Sequence, residues 1–87
     1  MIAVLSTPES MTAEQYDRLV EQLEDARASP APGHRLHVCF GHGDQMMVFD
    51  VWDSVEELQA FGATIAPILT NEQIVFAPPQ PFGVHRL

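Results

Sequence analysis

Along this chain of 87 residues the spacing of apolar positions switches between a period of two and a period near 3.6, and each switch marks a change of element. Met1 to Leu5 is a short apolar, strand-compatible run closed by the turn residues Thr7-Pro8-Glu9-Ser10. In Met11-Thr12-Ala13-Glu14-Gln15-Tyr16, Thr12 can cap a helix, Gln15 can return the hydrogen bond, and Met11 can staple onto Tyr16. Tyr16, Leu19, Val20 and Leu23 then fall on one helical face. The other face carries Glu14, Asp17, Arg18, Glu21, Glu24 and Asp25; it reads as solvated, with Glu14 and Arg18 as a favourable pair four residues apart. The segment Pro30–Gly33 stops this helix, and a second strand follows from Arg35 to Phe40.

The run from Met46 to Phe61 organises the rest. Met46 to Trp52 is a central strand by composition, and Ser54 with Glu57 opens a helix directly behind it. Val55, Leu58, Phe61 and Ile65 continue that helix, and Pro67 predicts a kink or a break near Ala66. Gln73 to Ala77 reads as a fourth strand, Pro78–Pro81 as excluded from any sheet, and Phe82 to Leu87 as a short edge strand or an arm. The predicted order is strand, helix, strand, strand, helix, strand. It gives an α+β class and a single ferredoxin-like βαββαβ domain over residues 1–87, a four-stranded antiparallel sheet with both helices on one face.

A tight turn on His42-Gly43 would pair Cys39 with Met46, His37 with Val48 and Arg35 with Asp50. One face is then wholly apolar, with Leu36, Val38 and Phe40 beside Met47, Phe49 and Val51, and the helices are expected to cover it. Cys39, Met46, Val48 and Trp52 would remain on the opposite face. A second copy laid sheet against sheet would cover that face, predicting a homodimer.

Composition narrows the function. Twelve acidic residues against four arginines and no lysine give a net charge of −8, which excludes a basic surface for nucleic acid and disfavours anionic membranes. No apolar run is long enough to span a bilayer. The lone Cys39 and the absence of an export signal point to the cytoplasm.

The stretch Val48-Phe49-Asp50-Val51-Trp52-Asp53-Ser54-Val55-Glu56-Glu57-Leu58-Gln59-Ala60-Phe61, with Met11-Thr12-Ala13-Glu14-Gln15-Tyr16, resembles the antibiotic biosynthesis monooxygenase-like proteins of the dimeric α+β barrel superfamily. The resemblance implies cofactor-independent oxygenation of aromatic, polyketide-like substrates in a pocket between sheet and helices, with Trp52 carried over as a pocket residue. Haem-degrading members resemble one another in an Asn on the first strand and a His on the helix after the Trp. This chain has neither, reading Phe61-Gly62-Ala63 on that helix, so no cofactor is expected.

Among residues with chemistry, Asp50 is informative because a carboxylate in a central strand is either paired, here with Arg35, or kept for proton transfer. Asp50 and His37 are the base candidates. Trp52, Phe61, Cys39 and Arg35 are the ligand-binding candidates. His37 and Cys39 share a strand face, which permits an imidazole-activated thiolate, although a packed thiol is the simpler reading. His34, His37, His42 and His85 have no zinc-like spacing, and a metal site would need a third ligand such as Asp50; none is expected. The competing class is a non-catalytic binding or assembly protein of the same fold.

Overall fold

The computed structural model describes residues 1–87. Six elements follow in order: β1 (Ile2–Ser6), α1 (Ala13–Asp25), β2 (His34–Phe40), β3 (Met47–Trp52), α2 (Val55–Asn71) and β4 (Phe82–Gly83). The strands form one antiparallel sheet in the order β2-β3-β1-β4, and two helices complete a ferredoxin-like α+β fold. Both helices start as the side chains dictate. Thr12 accepts from the Gln15 N–H while the Gln15 side chain accepts from the Thr12 N–H, and Ser54 accepts from the Glu57 N–H. Met11 is fully buried, with Tyr16 packed against its cluster.

The fourth strand is not where periodicity placed it. Phe82–Gly83 pairs with Ile2–Ala3, whereas residues 73–77 leave the sheet and meet the turn after β1 through a Pro8–Phe76 bridge and a bond from the Glu9 N–H to the Val75 carbonyl. Ile74 is buried against Met11 and Val48, so the apolar run encodes a packed cover rather than a strand. The expected break at Pro67 is also absent, since α2 runs unbroken from Val55 to Asn71. Proline removes one hydrogen bond and crowds the preceding turn. Continuing the helix keeps Leu58, Phe61, Ile65 and Leu69 on one inward face. Arg18 does not pair within α1; it reaches Glu72 beyond the end of α2 at 2.8 Å.

The β2–β3 register is displaced by two residues from the tight-turn expectation. Cys39 faces Val48, His37 faces Asp50 and Val38 faces Phe49. The connection is longer because Met46 is taken by the loop before α1: its N–H bonds to the Met11 carbonyl, and the Met11 N–H bonds to Asp44. Gly41, at φ 130, lets the chain turn there; a Cβ at this position would meet the Gln45 carbonyl at 2.4 Å. A shift of two preserves the side-chain faces. Arg35 is the extra residue of a bulge between His34 and Leu36, so it does not pair with Asp50.

The helices cover the other face from the one expected. The mixed face of Val4, Val48, Asp50 and Trp52 lies beneath them, and Val4, Val48 and Trp52 are buried. The wholly apolar face is left largely open, with Leu5, Leu36, Val38, Phe40 and Phe82 each more than a third exposed, while Val51 between Ala3 and Leu36 is buried. Apolarity alone does not select the helix side: the hand of the crossover from β1 through α1 to the parallel β2 does. No helix is long and apolar enough to cross a membrane.

Candidate active site

Between the helices and the mixed sheet face lies a cavity of about 200 Å³. Trp52, Val48 and Asp50 of β3 and His37 of β2 form its floor; Tyr16 and Leu19 of α1 and Phe61 and Ile65 of α2 form its walls; Phe76 and Pro79 close one side. The excursion of residues 73–79 out of the sheet therefore supplies part of the enclosure.

A polar chain crosses this apolar setting. Asp50 Oδ1 lies 2.5 Å from both His34 Nε2 and His37 Nδ1. The other nitrogen of His37, Nε2, lies 2.5 Å from the Tyr16 hydroxyl. A carboxylate oxygen only accepts, so His37 Nδ1 donates to it, and a neutral imidazole then presents its Nε2 lone pair to Tyr16. The order is carboxylate, imidazole, phenol, with the phenol donating. Tyr16 and His37 also stack at 5.8 Å between ring centroids.

The bulge builds this cluster. Residues three apart on a regular strand face opposite sides. The extra residue Arg35 instead puts His34 opposite Trp52, on the same face as His37 and Asp50. There the His34 ring lies flat on the Trp52 indole at 4.0 Å, with Phe61 within 5.9 Å of the imidazole and 5.1 Å of the indole. Arg35 itself points away to pair with Asp53. The Trp52 indole N–H is buried without a hydrogen-bond partner.

Electrostatics hold both Tyr16 and Cys39 away from ionisation at neutral pH. The Tyr16 phenol is pushed up to about 12, first by burial and then by the nearby Cys39, Asp50 and Asp17 groups. The Cys39 thiol is also raised, by burial and then by Asp17, so it is held as a thiol rather than activated as a thiolate. It packs against the Met11, Val48 and Ile74 cluster.

The structure thus brings His37, Asp50, Trp52 and Phe61 to one cavity, while Cys39 and Arg35 do not line it. Sequence reasoning missed Tyr16, and weighed His34 only among histidines without a zinc-like spacing. Tyr16 was legible only as a core-facing helix residue, and His34 stood outside the expected strand, on what alternation would make the wrong face.

Comparison with solved structures places this architecture. A protein from Deinococcus radiodurans assigned to the antibiotic biosynthesis monooxygenases superposes with a TM-score of 0.65 at 12% identity, covering 100% of this chain and 95% of the other. SnoaB, a cofactor-independent oxygenase from Streptomyces nogalater, gives 0.68 at 13% identity, over 99% and 94% of the two chains. A further protein assigned to the same group, from Chloroflexus aurantiacus J-10-fl, gives 0.60 at 22% identity, over 99% and 98%. The chain shares the fold of these three proteins. No protein-family model matches the sequence. No curated protein matches it either.

Proposed function

We propose that this chain is a cytoplasmic, homodimeric member of the monooxygenase-like group that oxygenates a small aromatic, polyketide-like substrate without a cofactor. The observation that carries the reading is the Asp50–His37–Tyr16 chain on the wall of an aromatic-lined cavity. An acidic phenol or enol of the substrate passes its proton to the Tyr16 oxygen as the Tyr16 proton moves to His37 Nε2, with Asp50 holding the other ring nitrogen. The resulting anion is electron-rich enough to be oxidised by O₂. At a carbon bearing two hydrogens, one oxygen atom is retained as a carbonyl and the other leaves as water with both hydrogens. Phe61 offers a stacking surface, with the buried Trp52 packed between it and His34.

The SnoaB description, a cofactor-independent oxygenase, supports the same chemistry on the same fold. The open sheet face supports the homodimer: Leu5, Phe49 and Val38 form one cross-strand row, and Phe82, Ala3, Val51 and Leu36 another. A second sheet laid across these rows would bury an apolar surface that a small monomer rarely exposes.

The test is oxygen consumption by chelator-treated protein with a panel of electron-rich phenols and anthrone-like ketones. Turnover should persist with the chelator present, fall by about 10²–10⁴-fold in His37→Gln and fall in Tyr16→Phe. Saturable binding of the same compounds without oxygen uptake would return the chain to the non-catalytic binding class.

A further inference from the structure

The proton-transfer reading uses His37 and Tyr16 but gives His34 nothing to do. Yet His34, His37 and Asp50 bring two imidazole nitrogens and a carboxylate oxygen within 4.8 Å of one another. We propose that these three side chains bind a divalent transition-metal ion, with His34 Nε2, His37 Nδ1 and one Asp50 oxygen as ligands. Four observations carry it.

The ligands stand on adjacent strands of one sheet, His34 and His37 on β2 and Asp50 on β3, so their spacing is fixed by backbone pairing. The bulge at Arg35 is what turns His34 into this group, and bulges commonly re-aim a side chain beside a functional site. Second, each imidazole is held from outside the cluster. His34 lies flat on Trp52 at 4.0 Å, and His37 meets the Tyr16 hydroxyl through the nitrogen that an ion would leave free. An outer hydrogen-bond partner on the second ring nitrogen is the usual companion of a ligating histidine.

Third, no cation of the protein competes for Asp50, whose ionic contacts are His34 and His37 alone; Arg35 is committed to Asp53 and Arg18 to Glu72. A net charge of −8 further favours a cation. Fourth, the side chains of His34 and Asp50 are each 14% exposed and that of His37 36%, while His37 and Asp50 line the cavity, so water or a small ligand can reach the remaining coordination positions.

The donor set selects the class of ion. Two nitrogens and one oxygen suit zinc, iron(II) or cobalt(II), whereas magnesium and calcium prefer all-oxygen sites. Bonds of about 2.0–2.2 Å require the two imidazole nitrogens to separate from Asp50 Oδ1 so that all three ligand atoms close around the ion, a movement of about 1 Å for side chains at this exposure. Coordination moves the proton of His37 from Nδ1 to Nε2, where it donates to the Tyr16 oxygen, so the metal-bound form lacks the Nε2 lone pair that the proposed oxygenation uses and the metal-free form is the one that oxygenates. No net proton leaves a neutral ring.

The experiment titrates cobalt(II) chloride into the untagged full chain and follows the visible d–d absorption, with zinc chloride as competitor and calorimetry for stoichiometry. One ion per chain is expected, displaced by zinc. His34→Gln, His37→Gln and Asp50→Asn should each weaken binding by more than about tenfold, while His42→Gln and His85→Gln leave it unchanged. Emission from Trp52, the single tryptophan, should change on zinc addition in the parent and not in His34→Gln. Circular dichroism establishes that the variants fold; should Asp50→Asn fail to, the two histidine variants decide. Absence of saturable cobalt absorption, or binding that survives both histidine substitutions, would overturn the proposal. Either result leaves the chelator-resistant oxygenation test standing on its own.

Discussion

Tyr16 shows how much a single side chain owes to its surroundings. Burial and the neighbouring Cys39, Asp50 and Asp17 push its phenol up to about 12, so it stays protonated through the range in which a free tyrosine ionises. Because it is the only tyrosine, ultraviolet titration reports it alone. The midpoint should lie near 12 in the folded protein and near 10 in urea. The folded state then holds the proton more tightly than the unfolded state. Stability should therefore be fully present below pH 10 and decline as pH rises from about 10 to 12, measurable as a falling urea midpoint. Trp52 supplies the second residue-scale test. It is 1% exposed and packed between His34 and Phe61. Trp52→Ala should destabilise by about 3–5 kcal/mol in chemical denaturation. His37 and Asp50 were legible as chemistry from their residue types within an apolar strand. Their partners were not, since nothing local ties Tyr16 to a residue 21 positions away.

At the scale of elements, both N-caps were written in the chain, although only Thr12 and Gln15 complete the reciprocal pair; the Glu57 carboxylate accepts from the Ser54 hydroxyl rather than from its backbone N–H. Thr12 with Gln15, and Ser54 with Glu57, act within four residues and need no tertiary information. Thr12→Ala should therefore cost about 1 kcal/mol, seen as a lower denaturant midpoint at unchanged slope. Pro67 was misread for the opposite reason. The local penalty is real, but α2 continues because its inward residues on both sides of the proline face one cavity. Pro67→Ala should restore a helical hydrogen bond and raise stability, by up to about 3 kcal/mol. The β2–β3 register failed through a contact that periodicity cannot see, the bonding of Met46 to Met11; the sorting of side chains to faces survived from Leu36 onward because the slip was even, and failed at Arg35, where the bulge turns it away from Asp50.

For the whole molecule, the decisive feature is an apolar sheet face left uncovered by its own helices. If a second copy covers it, Val38→Asp, at the centre of a row with Phe49 and Leu5, should convert the protein to a monomer by light scattering and lower its melting temperature. A monomeric parent at micromolar concentration would remove the dimer from the proposed function. The cavity itself is also a product of the whole. Its closing side comes from residues 73–79, and its floor from two strands joined by a six-residue loop, Gly41 to Met46.

The sequence by itself determined the six-element order, the helix caps, the sheet's two side-chain faces and the presence of an acidic, lysine-free surface. Each depends on residue type or on contacts a few positions apart. Tertiary structure alone decided which face the helices took, which segment became the fourth strand, and that His34 joined His37 and Asp50. Those outcomes turn on crossover handedness, on competition for backbone partners and on one inserted residue at Arg35, all of them set by long-range packing to which local hydrophobic pattern is indifferent.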